Sequence, residues 1–104
     1  MGESFDVNNI DEVVHGRVRL GTLAYLSTAG SVEFTELKRR LGTTDGNLAT
    51  HLRKLEQARY VTIEKTGAGR GSITRVSLTE AGRQAFLGYL DTMMKLVQEM
   101  RFPA

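Results

Sequence analysis

The sequence predicts an α+β fold that is mostly α, with the order helix, short strand, helix-turn-helix, β-hairpin and long C-terminal helix. Three observations carry this expectation. Apolar residues recur at helical spacing through residues 35–58, interrupted once by a glycine-led turn. Apolar and polar residues alternate on both sides of a glycine-rich loop, EKTGAGRGSITR, at residues 64–75. An apolar seam with heptad-like steps runs from Phe86 to Met100. At 104 residues the chain is one domain, residues 1–104, a size that buries roughly two-thirds of the unfolded surface.

The elements follow in order. Asn9 is expected to cap the first helix, with Glu12 three residues later completing a capping box. Leu20, Leu23 and Ala24 then share a helical face. Gly16 and Gly21 weaken this helix, and a break near His15-Gly16 is expected. Ala29-Gly30 ends it, and Ser31–Phe34 has the length of a single edge strand. Thr35 caps a short second helix, TELKRRLG, with Gly42 as its stop. Thr44 caps a third helix, DGNLATHLRKLEQA, whose Leu48, Leu52 and Leu55 form one apolar stripe. Two short helices joined by so tight a turn make the helix-turn-helix pattern. Val61 and Ile63 alternate with polar neighbours, as do Thr74, Val76 and Leu78, which predicts a β-hairpin. Thr79-Glu80 opens the last helix, expected over about residues 79–101.

Composition narrows the function. The chain has no cysteine and only two histidines, His15 and His51, which removes disulfides and thiolate chemistry and gives no reason to expect a metal site. No apolar run reaches the roughly 20 residues of a membrane span. The first residues, MGESFDVNN, lack the basic and apolar regions of a signal peptide, so a cytoplasmic protein without a membrane role is expected. Charge is uneven. Residues 38–75 hold nine Lys and Arg against three acids, a local net of +6 in a chain of net +2. A basic middle between acidic ends suits a polyanionic partner. No nucleophile–base pair, carboxylate dyad or metal cluster stands at a readable spacing, so an enzyme is not expected. Nothing in the pattern names a cofactor or a small-molecule effector.

The glycine-rich loop bears on the same point. A loop that cradles a nucleotide phosphate joins a strand to a helix, whose N-terminus supplies much of the anion affinity. This one joins a strand to a strand, and Gly67-x-Gly69-x-Gly71 matches neither nucleotide-binding spacing. Arg70 instead rides near the tip of the hairpin, among glycines that let backbone come close to another molecule.

This order of elements resembles the winged helix-turn-helix DNA-binding domain, and more narrowly the small single-domain regulators related to the MarR and ArsR families. The resemblance rests on DEVVHGRVRLGTLAYL in the first helix, FTELKRRLGTTDGNLATHLRKLE through the helix-turn-helix, and RVSLTEAGRQAF after the hairpin. It covers nearly the whole chain. It implies a transcription regulator whose third helix, residues 44–58, enters the major groove of double-stranded DNA, with the hairpin loop 66–72 as the wing. One departure is Arg59, where the family has glycine. A left-handed residue other than glycine costs about 1 kcal/mol, which leaves open how the third helix ends.

With the three leucines turned inward, the outer side of the third helix carries Asn47, Thr50, His51 and Lys54, while Thr44, Asp45 and Gly46 make its first turn. Asn47 suits a bidentate pair with adenine, against the alternative of a local helix contact. Thr50 and His51 suit phosphate or base edges, and Arg53 and Lys54 phosphate. Asp45 either complements the helix dipole or accepts from a cytosine amino group. Of Lys38, Arg39 and Arg40, Lys38 is the one taken to face DNA. Arg70, with Arg75 beside it on the hairpin, suits the narrow minor groove or the backbone. His15 is read as a structural or interface residue. On the last helix Phe86, Leu90, Met93, Val97 and Met100, with Met94 alongside, make the expected homodimer interface. The alternative is a winged-helix module that binds protein or RNA without reading DNA.

Overall fold

The computed structural model describes residues 4–67 and 69–101. Helix α1 spans Arg17–Ala29, strand β1 Ser31–Glu33, helix α2 Phe34–Leu41 and helix α3 Asp45–Gln57. Strands β2 and β3 span Val61–Thr66 and Ile73–Leu78, and helix α4 spans Glu80–Arg101. The strands form one antiparallel sheet in the order β1-β3-β2, with Val32 and Ile63 both opposite Val76. The short β1 is therefore an edge strand, as its length suggested. Alternation on β3 turns Val76 to the core, fully buried, and leaves Arg75 exposed.

The start of the chain differs from expectation. No helix begins at Asn9. Residues Val7–Asn9 make a single 3-10 turn, capped by Asp6, which accepts from the Asn8 N–H at 2.9 Å. Asp11 then accepts from the N–H groups of Val13 and Val14 and stabilises a second turn. Gly16, at φ 136°, breaks the chain direction there, and α1 starts at Arg17. The expected break at His15-Gly16 is real; the helix before it is not. In α1 the buried set is Val18, Thr22, Leu23 and Leu26, and Ala24 is exposed. Gly21 is no weak point. A Cβ there would come within 2.7 Å of Leu41 Cδ2, so its absence lets α1 and α2 pack closely. Helix α2 begins at Phe34 with Glu33 as N-cap, so Thr35 lies inside the helix and does not cap it.

Both helices of the helix-turn-helix end alike. Gly42 takes a left-handed φ of 60°, and the N–H groups of Gly42 and Thr43 return to the carbonyls of Arg39 and Lys38. After α3, Arg59 adopts φ 65°, and the N–H groups of Arg59 and Tyr60 return to Glu56 and Leu55. That is the same Schellman closure, with arginine in place of glycine. The strain of about 1 kcal/mol is offset by neighbours that hold the corner. The Thr79 hydroxyl donates to the Arg59 carbonyl at 2.6 Å and accepts from the Gly82 N–H at 2.9 Å, capping α4. The Thr79 N–H reaches the Tyr60 carbonyl. A Cβ on Gly82 would lie 2.1 Å from that same carbonyl oxygen, so only glycine fits. The Tyr60 phenol donates to Asp11 Oδ2 at 2.6 Å. This bond, with burial and the Asp11 charge, pushes the phenol up to about 12.

The core lies where α1, α3, the sheet and the first half of α4 meet. Leu23, Leu26, Leu37, Leu48 and Leu55 are fully buried there. Each such side chain contributes on the order of 1.5–3 kcal/mol. The seam expected on α4 divides. Phe86 is buried in this core, with Met93 packed against it. Leu87, Leu90, Met94, Val97 and Met100 are exposed on the same helix. The described chain extends 60 Å along its longest axis but only 25 and 21 Å across.

Candidate nucleic-acid interface

Helix α3 owes its placement to a capped start, an apolar stripe and a locked end. The Thr44 hydroxyl accepts from the Asn47 N–H at 3.1 Å, as an N-cap serine or threonine does. Leu48, Leu52 and Leu55 anchor one side in the core. At about 100° per residue, the opposite side presents Gly46, Thr50, Arg53, Lys54 and Gln57. Asn47 and His51 stand on one flank, and Ala49 and Glu56 on the other. Thr44, Asp45, Asn47, Thr50, Arg53 and Lys54 are all exposed, and His51 is half-buried.

The polar side chains of this surface already have local partners. The Asn47 amide donates to Thr43 Oγ1 at 2.7 Å, which leaves its second N–H and its carbonyl oxygen available. The Thr50 hydroxyl donates back to the Gly46 carbonyl at 3.0 Å. Lys38 reaches across the turn to Asp45 at 2.9 Å. Asp45 is thus held by a cation as well as by the helix N-terminus. Asp45 is exposed and Lys38 only half-buried, so the pair contributes about 0–1 kcal/mol and a phosphate can take the lysine over.

His51 departs from the outward position expected of it. It leans toward α1, with Nδ1 3.2 Å from Arg19 Nη1. Burial, and then the charges of Arg19, Lys54 and Arg17, hold its pKa below the ordinary histidine value. These causes all disfavour the charged ring.

The basic residues fall into two groups. Arg39 and Arg40 both donate to Glu36, whose carboxyl is lowered by those two bonds, and Arg40 also covers the Tyr25 ring. Arg75 donates to Ser31 Oγ and pairs with Glu33 at 3.6 Å. By strand alternation it lies on the sheet face opposite Thr74. Thr74 lines a cleft of about 270 Å³ with Phe34, Ile63 and the α3 residues Leu52, Arg53 and Glu56. The fold therefore does not bring Arg75 together with α3. Arg53, Lys54, Lys65 and Arg70, by contrast, form no ion pair among the described residues. Arg70 lies in the 3-10 turn Gly69–Gly71 of the loop, whose Gly67 and Gly69 take positive φ. Among the described residues no group of His, Asp or Glu is arranged to hold a metal ion. No helix there is long and apolar enough to cross a membrane.

One residue of this surface had no sequence signal beyond its spacing. Arg19 lies one helical turn after His15 and bonds its carbonyl, but its contact with His51 spans 32 positions of chain.

Comparison with known proteins agrees with this geometry. A family model described as a winged helix DNA-binding domain matches residues 18–97. An uncharacterised protein of Methanocaldococcus jannaschii is 35% identical over 85 residues, 82% of this chain and 92% of that protein. The solved structure of a transcriptional regulator homologue from Pyrococcus horikoshii OT3 superposes with a TM-score of 0.80 at 27% identity, covering 86% of this chain and 89% of that one. The YusO protein of Bacillus subtilis shares the fold, with a TM-score of 0.76 at 20% identity over 90% of this chain and 66% of that one.

Proposed function

The chain belongs to the family of winged helix DNA-binding domains, and from that premise we propose that it is a sequence-specific, homodimeric transcription regulator of the MarR-like type, acting in the cytoplasm. In this reading α3 enters the major groove of double-stranded DNA. Asn47 and His51 meet base edges or phosphate. Thr44, Thr50, Arg53, Lys54 and Lys38 position the helix on the backbone, and Asp45 releases Lys38 to do so. The hairpin loop acts as the wing, with Arg70 at the backbone or minor groove. Arg75, tied to Glu33, has at most a flanking part.

The observation that carries the proposal is the contrast among the cations. Arg39 and Arg40 on α2 and Arg75 on β3 are tied to carboxylates, whereas Arg53, Lys54 and Arg70 form no ion pair among the described residues. Free cations on two adjoining convexities suit two stretches of phosphate backbone. The second copy belongs to the exposed stripe Leu87, Leu90, Met94 and Val97 on α4. Two-fold pairing through it presents two recognition helices to two half-sites.

Selection of bound sequences from a random duplex pool, followed by gel shifts at two salt concentrations, tests this reading. Asn47→Ala is expected to cost roughly 1–3 kcal/mol on the selected site and to relax preference at one base position per half-site. Arg70→Ala is expected to weaken binding with little change of preference, and to flatten the slope of log K against log salt by up to about two units per dimer. An unchanged affinity and slope for Arg70→Ala would reduce the loop to a plain hairpin connection. A pool that yields no preferred sequence, or better binding to RNA or protein, removes the regulator reading.

A further inference from the structure

Arg19 joins three segments of the molecule. Its Nη2 donates to the carbonyls of Glu12 at 3.3 Å and His15 at 3.0 Å, in the turn before α1. Its Nη1 faces Nδ1 of His51 on α3 at 3.2 Å. A guanidinium carries only N–H donors and stays protonated in proteins. The His51 Nδ1 is therefore the acceptor in this pair and bears no hydrogen. In the neutral ring the single proton then resides on Nε2, at the edge turned away from α1.

We propose that Arg19 is a positioning residue for DNA recognition, locking the His51 imidazole as its Nε2–H tautomer so that the recognition helix offers DNA a neutral, directed donor there. The proposal rests on the reading of α3 as the helix that meets DNA. An imidazolium would add one more cation to a helix that already has Arg53 and Lys54, and it would attract any phosphate. A neutral N–H has direction and no long-range pull. It bonds an acceptor that lies on its axis, a guanine N7 or O6 or one phosphate oxygen, and adds nothing to counterion release.

The surroundings hold this state. Arg17 and Arg19 on α1 and Lys54 on α3 are the charges that disfavour an imidazolium. Glu12 is the acid nearby, lining a cleft with Arg19, Lys54 and Gln57, while its backbone carbonyl is held by Arg19. Protonating Nδ1 would set two donors face to face at the present 3.2 Å, so Arg19 would have to withdraw. Withdrawal would also release the turn at Glu12–His15, whose His15 Nδ1 lies 2.9 Å from the Tyr89 hydroxyl on α4. The tautomer is thus fixed by contacts that the fold needs for other reasons.

Nitrogen-15 spectra of the histidine rings in the free wild-type protein test the lock without any DNA. The expected pattern for His51 is a protonated Nε2 and a bare Nδ1 from about pH 8 down to below pH 6.5, the ordinary histidine value. An Nδ1–H tautomer, or an imidazolium at neutral pH, overturns the proposal and needs no variant that must fold. Binding to a duplex from the selected pool tests the role. Wild-type affinity is expected to stay flat over that range at fixed salt. His51→Gln, which keeps a donor, retains most of the affinity, and His51→Ala loses several-fold with an unchanged salt slope.

In Arg19→Gln the ring is free to charge. Affinity should then rise as pH falls, by about tenfold for each unit by which DNA raises the His51 pKa. Adding His51→Gln to that variant should abolish the rise. A pH profile for Arg19→Gln identical to wild type sinks the positioning role, since a merely structural Arg19 would shift affinity equally at every pH. Absence of wild-type binding to every duplex refutes the DNA reading and this role with it, and is told apart by a His51 tautomer that remains as described.

Discussion

The two halves of α4 carry the same kind of sequence and meet different fates. The first half, around Gly82, Phe86 and Tyr89, is buried against the body of the molecule and capped by Thr79 at the corner that ends α3. The second half carries Met94, Val97 and Met100 into solvent, exposed by 56%, 45% and 76%. Helical periodicity is alike in both. What separates them is reach. A helix of 22 residues is about 33 Å long, and the described chain, 60 Å along its longest axis, is only 25 and 21 Å across it. The apolar side chains of the far half, Met94, Val97 and Met100, remain exposed among the described residues. Exposed apolar stripes of this sort mark interaction surfaces more often than isolated exposed leucines do.

Substitutions on each half break this comparison in opposite ways. The largest effect on stability is expected from Phe86→Ala, which empties a buried site and costs about 3–5 kcal/mol. Thermal denaturation at fixed protein concentration would show it as a large fall in Tm. Leu90→Asp lies on the exposed stripe, so the monomer itself should change by no more than about 0.5 kcal/mol. Sedimentation should instead show loss of the proposed dimer, because a carboxylate would be buried in an apolar contact. A wild-type protein that sediments as a monomer at tens of micromolar would leave the far half of α4 without its second copy. Smallest is Arg59→Gly, at the corner where the buried half of α4 is tied to α3. It relieves a left-handed arginine and should stabilise by up to about 1 kcal/mol. A destabilisation would mean that the arginine side chain holds the corner by contacts outweighing its strain.

Much of the fold was legible because its determinants are local. The Thr44 cap, the stop at Gly42, the leucine stripe of α3 and the alternation around the glycine-rich loop all act within a few residues. The errors arose where distant groups decide. Asn9 and Glu12 have the spacing of a capping box, yet Gly16 turns the chain before a helix can form there, and Asp11 is recruited by Val13, Val14 and Tyr60. Gly21 looked like a weakness until Leu41 lay over it. Arg75, expected among the DNA-facing residues, is held by Glu33 and Ser31 from β1, contacts that no spacing along the chain announces. Arg59 shows the converse case. A residue of the wrong type keeps the expected corner because Thr79, from across the molecule, bonds its carbonyl.

By itself, then, the sequence determined the order and kind of the elements, the basic middle and the outward side of the third helix, since periodicity, capping and charge are properties of neighbouring residues. Tertiary structure decided which cations are neutralised and which stay free, where α4 outruns its own core, and which ring nitrogen of His51 is taken by Arg19. Those outcomes depend on side chains brought together from far apart, Lys38 with Asp45 across the turn, Glu33 with Arg75 across the sheet and Arg19 with His51 between helices. The energy of such contacts is a function of distance and direction in space, and no spacing along the chain encodes it.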